Sequence, residues 1–178
     1  MLFSEIFYFY VLYNNGSPEI HRSLQAQFIA MDLRTMIYRY CNYQERCQKE
    51  VRNKLYENGA DQDEVGQLTA ELIEEGLLDE ERYARAFARG RFRIKNWGRR
   101  KIVYELKQDQ ISEYCIRKAM TEIDEEEYMI TLNRLAQKKI DELKRENNHF
   151  TRKAKLRNYL TQKGYEADLI QGIISSLF

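Results

Sequence analysis

The arrangements of side chains that do chemistry in enzymes are missing from the 178 residues of this chain. His21 and His149 are the only histidines, and neither has a partner at metal-ligating or catalytic spacing. His149 is expected to cap or flank a helix that begins near Thr151. Gly90 and Gly98 are isolated, so no glycine-rich phosphate loop is present. Asp124-Glu125-Glu126-Glu127 resembles a divalent-metal sequence only superficially. Four adjacent acids point in different directions around a helix, and they read as a solvated first turn. Cys41, Cys47 and Cys115 are odd in number, with no pair at zinc-knuckle separation, and read as reduced cytosolic thiols. The expectation is therefore a protein that is not an enzyme, with no catalytic residue, metal or cofactor.

What the chain does carry is charge chemistry. From Glu81 to Glu105 there is no acid, a gap of 23 residues holding Arg82, Arg85, Arg89, Arg91, Arg93, Lys95, Arg99, Arg100 and Lys101. Net charge is only +1, so attraction to an anionic partner must come from such local patches. A solvated helix face is the plain alternative. Against it, like charges at i, i+4, such as Arg85/Arg89 and Arg89/Arg93, are mildly destabilising. Arginine favours bidentate contact with carboxylates or phosphates. A second group, Arg152, Lys153, Lys155 and Arg157, and an earlier one, Arg46, Lys49, Arg52 and Lys54, make the positive surface recur. Trp97 can stack on a nucleobase, but beside Gly98 it reads first as an anchor between two helices.

These groups need elements to position them, and the composition points to helices. Eight glycines and one proline are too few turn residues for a sheet protein. With 32% charged and 43% hydrophobic residues, the chain reads as water-facing and cytoplasmic. The apolar, aromatic stretch Leu2–Tyr13 is about half the roughly 20 residues a membrane helix requires and lacks the flanks of a signal peptide. It reads as a tail that folds onto the body or as sequence upstream of the true start, with Met31 and Met36 as internal starts.

Ser17 and Pro18 begin a helix predicted to reach Cys41, with Leu24, Phe28, Met31, Thr35 and Tyr38 on its buried face. A helix follows over 44–58, with Val51 and Leu55 inward and Gly59 as its stop. A third, capped by Asp61 or Asp63, carries Val65, Leu68, Leu72 and Ile73 and ends at Gly76. Asp79 caps a helix to Lys95. Its apolar stripe is read as Tyr83, Phe87, Gly90 and Ile94, about a third of a turn from the stripe Arg82, Arg85, Arg89 and Arg93. Two short helices fill 98–110 and 112–123. A long one follows over 124–147, with Tyr128, Leu132, Leu135, Ala136 and Leu143 on one face. Helices over 151–163 and 166–178 close the chain.

An internal repeat organises this list. Val51, Leu55, Gly59, Val65, Leu68 and Leu72 superpose on Ile102, Leu106, Gln110, Ile116, Ala119 and Ile123 at an offset of 51. Those superpose on Leu156, Leu160, Gly164, Ile170, Ile173 and Leu177 at an offset of 54. Each copy is preceded by a longer helix. The expected fold is all-α: three tandem three-helix repeats, long-short-short, stacked into an elongated, curved modular rod. The divisions read as an extension over 1–16 and repeats over 17–76, 77–123 and 124–178. No long heptad seam is present, so a monomer is expected.

Gly76-Leu-Leu-Asp-Glu-Glu-Arg-Tyr-Ala-Arg-Ala-Phe87 and Trp97-Gly-Arg-Arg-Lys-Ile-Val-Tyr-Glu-Leu106 resemble the signature of the RecX family of recombinase regulators. Tyr40–Leu55 resembles that family's first-unit segment. The likeness runs from about Met36 to Phe178; Gln110 departs from it, as do the first forty residues. The resemblance implies tandem three-helix repeats, binding in the groove of the RecA recombinase filament on single-stranded DNA, restraint of recombinase activity, and weak binding to single-stranded or duplex DNA. It implies no enzymatic residue and no membrane. The arginines at 82, 85, 89, 93, 99 and 100 are then expected to face acidic recombinase surfaces or DNA phosphates. A nucleic-acid-binding helical module without a recombinase partner, or a helical scaffold for an acidic protein, are the competing readings.

Overall fold

Most helix starts in this chain are set by capping side chains, as the computed structural model, which describes residues 32–178, shows. Helix α1 is described over residues 32–43. The expected start at Ser17 and Pro18, the inward residues Leu24, Phe28 and Met31, His21 and the extension over 1–16 lie outside the described residues.

Helix α2 is Gln48–Glu57. Asp61 caps α3, Gln62–Glu74, in a capping box closed by Glu64. Asp79 caps α4, Glu80–Lys95, by accepting from the Arg82 amide. Helix α5, Arg99–Gln108, starts at Gly98. Ser112 caps α6, Glu113–Met120. Asp124 caps α7, Glu125–Glu142, so the long helix stops before Asn147. Asn148 caps α8, His149–Lys163, in which His149 is the first residue. Helix α9 is Ala167–Leu177. The described residues are all-α and form three helix triplets, α1–α3, α4–α6 and α7–α9, the repeat expected from the sequence.

The repeat is deeper than six positions. Gly59, Gln110 and Gly164 all adopt the left-handed conformation, with φ of 88°, 62° and 91°. The residue after each donates back into its helix: Ala60 to Leu55, Ile111 to Leu106 and Tyr165 to Leu160, at 3.1, 3.0 and 3.2 Å. That is a Schellman-type end, and its partner residue is buried each time. Asp61, Ser112 and Glu166 then start the next helix in register. Every copy therefore reads: helix, left-handed residue, buried residue, cap, helix.

The chain divides into two compact units, residues 1–44 with 51–77, and residues 45–50 with 78–178. In the described part of the first, Leu33, Ile37, Cys41, Val51, Leu55, Val65, Leu68 and Leu72 are buried. Thr35 is exposed and Tyr38 only half-buried, so the inward face of α1 differs from the predicted one. The Tyr38 hydroxyl instead donates to Glu75 at 2.6 Å, and Arg34 pairs with Glu71. Ile73, one step past Leu72, is 45% exposed.

The second unit contains a continuous core from Cys47 through Tyr83, Ala88, Phe92, Ile102, Leu106, Tyr128, Leu132, Leu156, Leu160 and Tyr165 to Ile174. The buried side of α4 is Tyr83, Ala84, Ala88 and Phe92, which shares only Tyr83 with the predicted stripe; Phe87 is half-buried and Ile94 is 75% exposed. Small side chains at Ala84 and Ala88 let α6 approach there, which turns the docked face about a quarter turn. At the chain's end Ile174 is buried in place of Leu177, which is 39% exposed. Leu143 is half-buried at the end of α7.

Candidate partner-binding surface

The turned face of α4 changes what the arginine stripe does. It sets Arg85, Arg89 and Arg93 beside the connection from α6 to α7, where glutamates wait. Arg85 donates to Glu81 and Glu122, both at 2.8 Å, and Arg89 reaches the other Glu122 oxygen at 3.3 Å. Arg93 lies 3.8 Å from Glu127, and Arg82 binds Glu45 at 2.7 Å. The bonds from Glu122 and Glu81 raise the Arg85 pKa further, and Glu45 does so for Arg82. The stripe within the acid-free run is thus neutralised in space by acids of the second unit. The like-charge spacing of the stripe is therefore compensated by these pairs, contrary to the expectation from the sequence.

Arg99 is held more deeply. Its guanidinium binds Glu125 at 2.6 Å and lies 4.1 Å from the centre of the Tyr128 ring. Burial opposes its charge, but Glu125, Tyr128 and Glu166 outweigh this and raise its pKa. Its backbone N–H donates to the Tyr128 hydroxyl at 3.0 Å, and that hydroxyl donates to Glu166 at 2.7 Å. Tyr128 is fully buried, so burial raises its pKa first and the Glu166 carboxylate raises it further. Asp124, Glu125 and Glu127, read from sequence as a solvated turn, divide between capping α7 and binding Arg99 and Arg93.

Beside this network α5 and α8 meet end to end. Gly98 N–H donates to the Lys163 carbonyl at 2.8 Å and Arg100 N–H to the Gly164 carbonyl at 3.0 Å. The amides at the start of one helix thereby satisfy the carbonyls at the end of another, and the positive end of one dipole meets the negative end of the other. A Cβ on Gly98 would lie 2.3 Å from the Gly164 backbone, and one on Gly164 would lie 2.3 Å from Lys101 Cβ. Both glycines are required by this approach. Asn96 completes the corner: its side chain accepts from Arg134 at 2.7 Å, and the Lys95 carbonyl accepts from Lys163 at 3.2 Å.

Trp97 is half-buried and edge-on to Phe87 at 6.5 Å, with Arg91 5.2 Å and Lys101 4.4 Å from its ring. It anchors the corner between α4 and α5. Lys95 and Arg100 are exposed, and no carboxylate pairs with either among the described residues. A groove of about 420 Å³ opens here, lined by Arg100, Lys101, Tyr104, Glu105, Thr161, Gln162, Gly164 and Tyr165. Tyr104, Thr161 and Gln162 carried no signal in the sequence, since a tyrosine among thirteen is unremarkable.

The second basic group sits at the other end of α8. Arg152 and Lys153 each lie 5.5 Å from the Phe178 ring, Lys155 binds Glu146 at 2.8 Å and Arg157 donates to Gln171 at 2.8 Å. At 1.5 Å per residue, Arg152 is about 16 Å along the helix from Lys163. Of the earlier group, Arg46 lies 3.6 Å from Glu50 and Lys49 donates to the Gln108 carbonyl at 2.6 Å. Arg52 is exposed, and Lys54 lies 4.0 Å from Glu57. The candidate cations therefore form separate groups with different partners.

Burial raises the pKa of the Cys47 and Cys115 thiols, which keeps them in the unreactive form. Among the described residues no cluster of three or more metal-ligating side chains occurs, and no helix is long and apolar enough to cross a membrane.

Residues 79–120 match the family model described as RecX, second three-helix domain, and residues 125–174 match RecX, third three-helix domain. The "Regulatory protein RecX" of Clostridium perfringens (strain SM101 / Type A) is 34% identical over 133 residues, covering 74% of this chain and 62% of the relative. That of Prosthecochloris aestuarii is 30% identical over 138 residues, covering 78% of this chain and 88% of the relative. The chain thus spans somewhat under two thirds of the clostridial relatives' length. The crystal structure of RecX from Lactobacillus salivarius superposes with a TM-score of 0.72 at 22% identity, over 85% of this chain and 97% of that one. Another crystal structure of a regulatory protein RecX superposes with a TM-score of 0.76 at 22% identity, over 91% of this chain and 79% of that one.

Proposed function

The chain belongs to the RecX family, and from that premise we propose that it binds filaments of the RecA recombinase and holds their activity down. It acts in the cytoplasm as a non-catalytic regulator of recombination, DNA repair and the SOS response. What supports this reading is one observation: the two triplets matched as RecX domains are those welded at Gly98 and Gly164, with positive charge around the weld. A regulator that works by occupancy needs such a surface and no catalytic group.

Co-sedimentation with recombinase-coated single-stranded DNA, beside bare DNA at two salt concentrations, tests the proposal. The expected result is retention on the coated strand at the higher salt, together with lower DNA-dependent ATP hydrolysis by the recombinase. Equal loss from both pellets and unchanged hydrolysis would refute it. A steep loss of affinity for bare DNA with salt and no recombinase effect favours the second reading, a nucleic-acid-binding module, for which Lys95 and Arg100 speak as cations without carboxylate partners. Failure in both assays leaves the scaffold for an acidic protein.

A further inference from the structure

The cations of the second unit fall into two kinds. Arg82, Arg85, Arg89, Arg93 and Arg99 are each bound by a carboxylate of the same unit. Lys95, Arg100, Lys101 and Lys163 gather where α4, α5 and α8 meet, and among the described residues none of them pairs with a carboxylate. Their contacts are carbonyls, rings and solvent, and Glu105, which shares the groove wall, pairs with none of them. An anion approaching the unit meets guanidiniums already occupied along the stripe and cations with unspent charge at the joint.

The joint also has a shape. The groove of about 420 Å³ has the two positive side chains Arg100 and Lys101 on one wall and the hydroxyl and amide of Thr161 and Gln162 on the other. Tyr104, 60% exposed, offers an aromatic ring to its mouth. This combination discriminates between polyanions. A carboxylate-rich peptide would use the charges but leave the ring idle. A duplex keeps its base faces inside the stack, where the ring cannot reach them. A single strand presents phosphates to the cations and a free base face to the ring, the arrangement by which single-stranded nucleic acids are held without regard to sequence.

We propose that this groove at the α5–α8 joint, and not the arginine stripe, seats single-stranded nucleic acid, with Arg100, Lys101, Lys95 and Lys163 on its phosphates and one base stacked on Tyr104. The proposal deepens the reading of the chain as a filament regulator by naming the surface that meets DNA, but it concerns the bare strand and stands or falls separately. Gly98 and Gly164 bring the cations of two repeats to one place, three from the middle triplet and Lys163 from the last.

The test is fluorescence anisotropy of labelled oligothymidylate titrated with the full chain over a range of salt. Each phosphate contact removed lowers the slope of log affinity against log salt by about 0.7 for single strands, so Arg100→Gln with Lys101→Gln should reduce it by about 1.4. Tyr104→Ala should weaken binding about 5- to 150-fold with the slope unchanged. The charge-matched control Arg117→Gln with Lys138→Gln, on exposed residues of α6 and α7, should bind as the parent does. Helical content and melting midpoint of each variant are measured alongside, so that a folding defect is recognised. Parental affinity in the Arg100/Lys101 and Tyr104 variants would overturn the proposal. So would absent binding by the parent, equal binding of an abasic strand, or displacement by polyglutamate as effective as by unlabelled oligothymidylate. Filament co-sedimentation on the same preparations reports on recombinase binding independently.

Discussion

Replacing Gly98 by alanine adds a methyl group at a site with no room for one. The backbone itself does not object, because Gly98 has φ of −75° and ψ of 161°, which alanine adopts readily. The objection is steric: the new Cβ would lie 2.3 Å from the Gly164 carbonyl carbon and oxygen and 2.5 Å from the Tyr165 nitrogen. These are backbone atoms, so no side-chain rotation relieves the overlap. The ends of α5 and α8 must separate, which stretches the bonds from Gly98 to Lys163 and from Arg100 to Gly164. Overpacking costs about 1–3 kcal/mol and each weakened hydrogen bond about 0.5–1.5 kcal/mol, so the expected loss is about 3–4 kcal/mol. Gly90→Ala is the internal control, since nothing lies within 4 Å of a Cβ there and α4 should gain about 0.5–1 kcal/mol. Urea unfolding followed by circular dichroism reads both. With a slope of about 2 kcal/mol per molar, Gly98→Ala should lower the midpoint by about 1.5–2 M. A Gly98→Ala protein within about 0.5 kcal/mol of the parent would refute the account of the joint.

Gln110 holds a left-handed conformation that costs a side-chain-bearing residue about 1–2 kcal/mol, so Gln110→Gly should stabilise the protein by about 0.5–1 kcal/mol after glycine's entropic cost, and thermal unfolding without a gain would contradict this. Tyr83, Tyr128 and Tyr165 have pKa values raised above 10.0, chiefly by burial, so they stay protonated in the folded state while the unfolded chain ionises. Their contribution is fully present below pH 10 and is lost as pH rises above it, at up to about 1.4 kcal/mol per pH unit for each tyrosine, and a urea midpoint flat between pH 9 and about 11 would count against it. Glu122→Gln removes the acceptor shared by Arg85 and Arg89, so the variant should elute from heparin at higher salt than the parent. Unchanged elution would mean the two guanidiniums were never sequestered.

The repeat was legible because its six positions carry the chemistry of burial and of helix termination, and both are local in sequence. Val51, Ile102 and Leu156 are all fully buried, and Gly59 announces a left-handed residue by its type. The same geometry at Gln110 is imposed by the buried residues around it, so the position looked like an exception. The docked side of α4 was misread for a related reason. Periodicity weighs large apolar residues such as Phe87 and Ile94, whereas the packing is organised by how close α6 can come, and that is set by Ala84 and Ala88. The error carried into the charge argument, since a quarter turn decides whether Arg85 and Arg89 face water or Glu122. Pairs between residues 33 to 37 positions apart, such as Arg89 with Glu122 and Arg82 with Glu45, leave no trace in a search for neighbours at i, i+4. The groove was invisible because Tyr104, Thr161 and Gln162 converge only after two helix ends have met.

The end-to-end meeting of α5 and α8 also orders events while the chain is being made. The acceptors for the first amides of α5 are the carbonyls of Lys163 and Gly164, more than sixty residues later. Until those emerge from the ribosome, α5 starts with open donors, and the middle triplet is expected to stay partly formed. Synthesis of the last triplet therefore completes two repeats at once, and a nascent chain halted before Lys163 should expose to proteases a middle triplet that the finished protein protects.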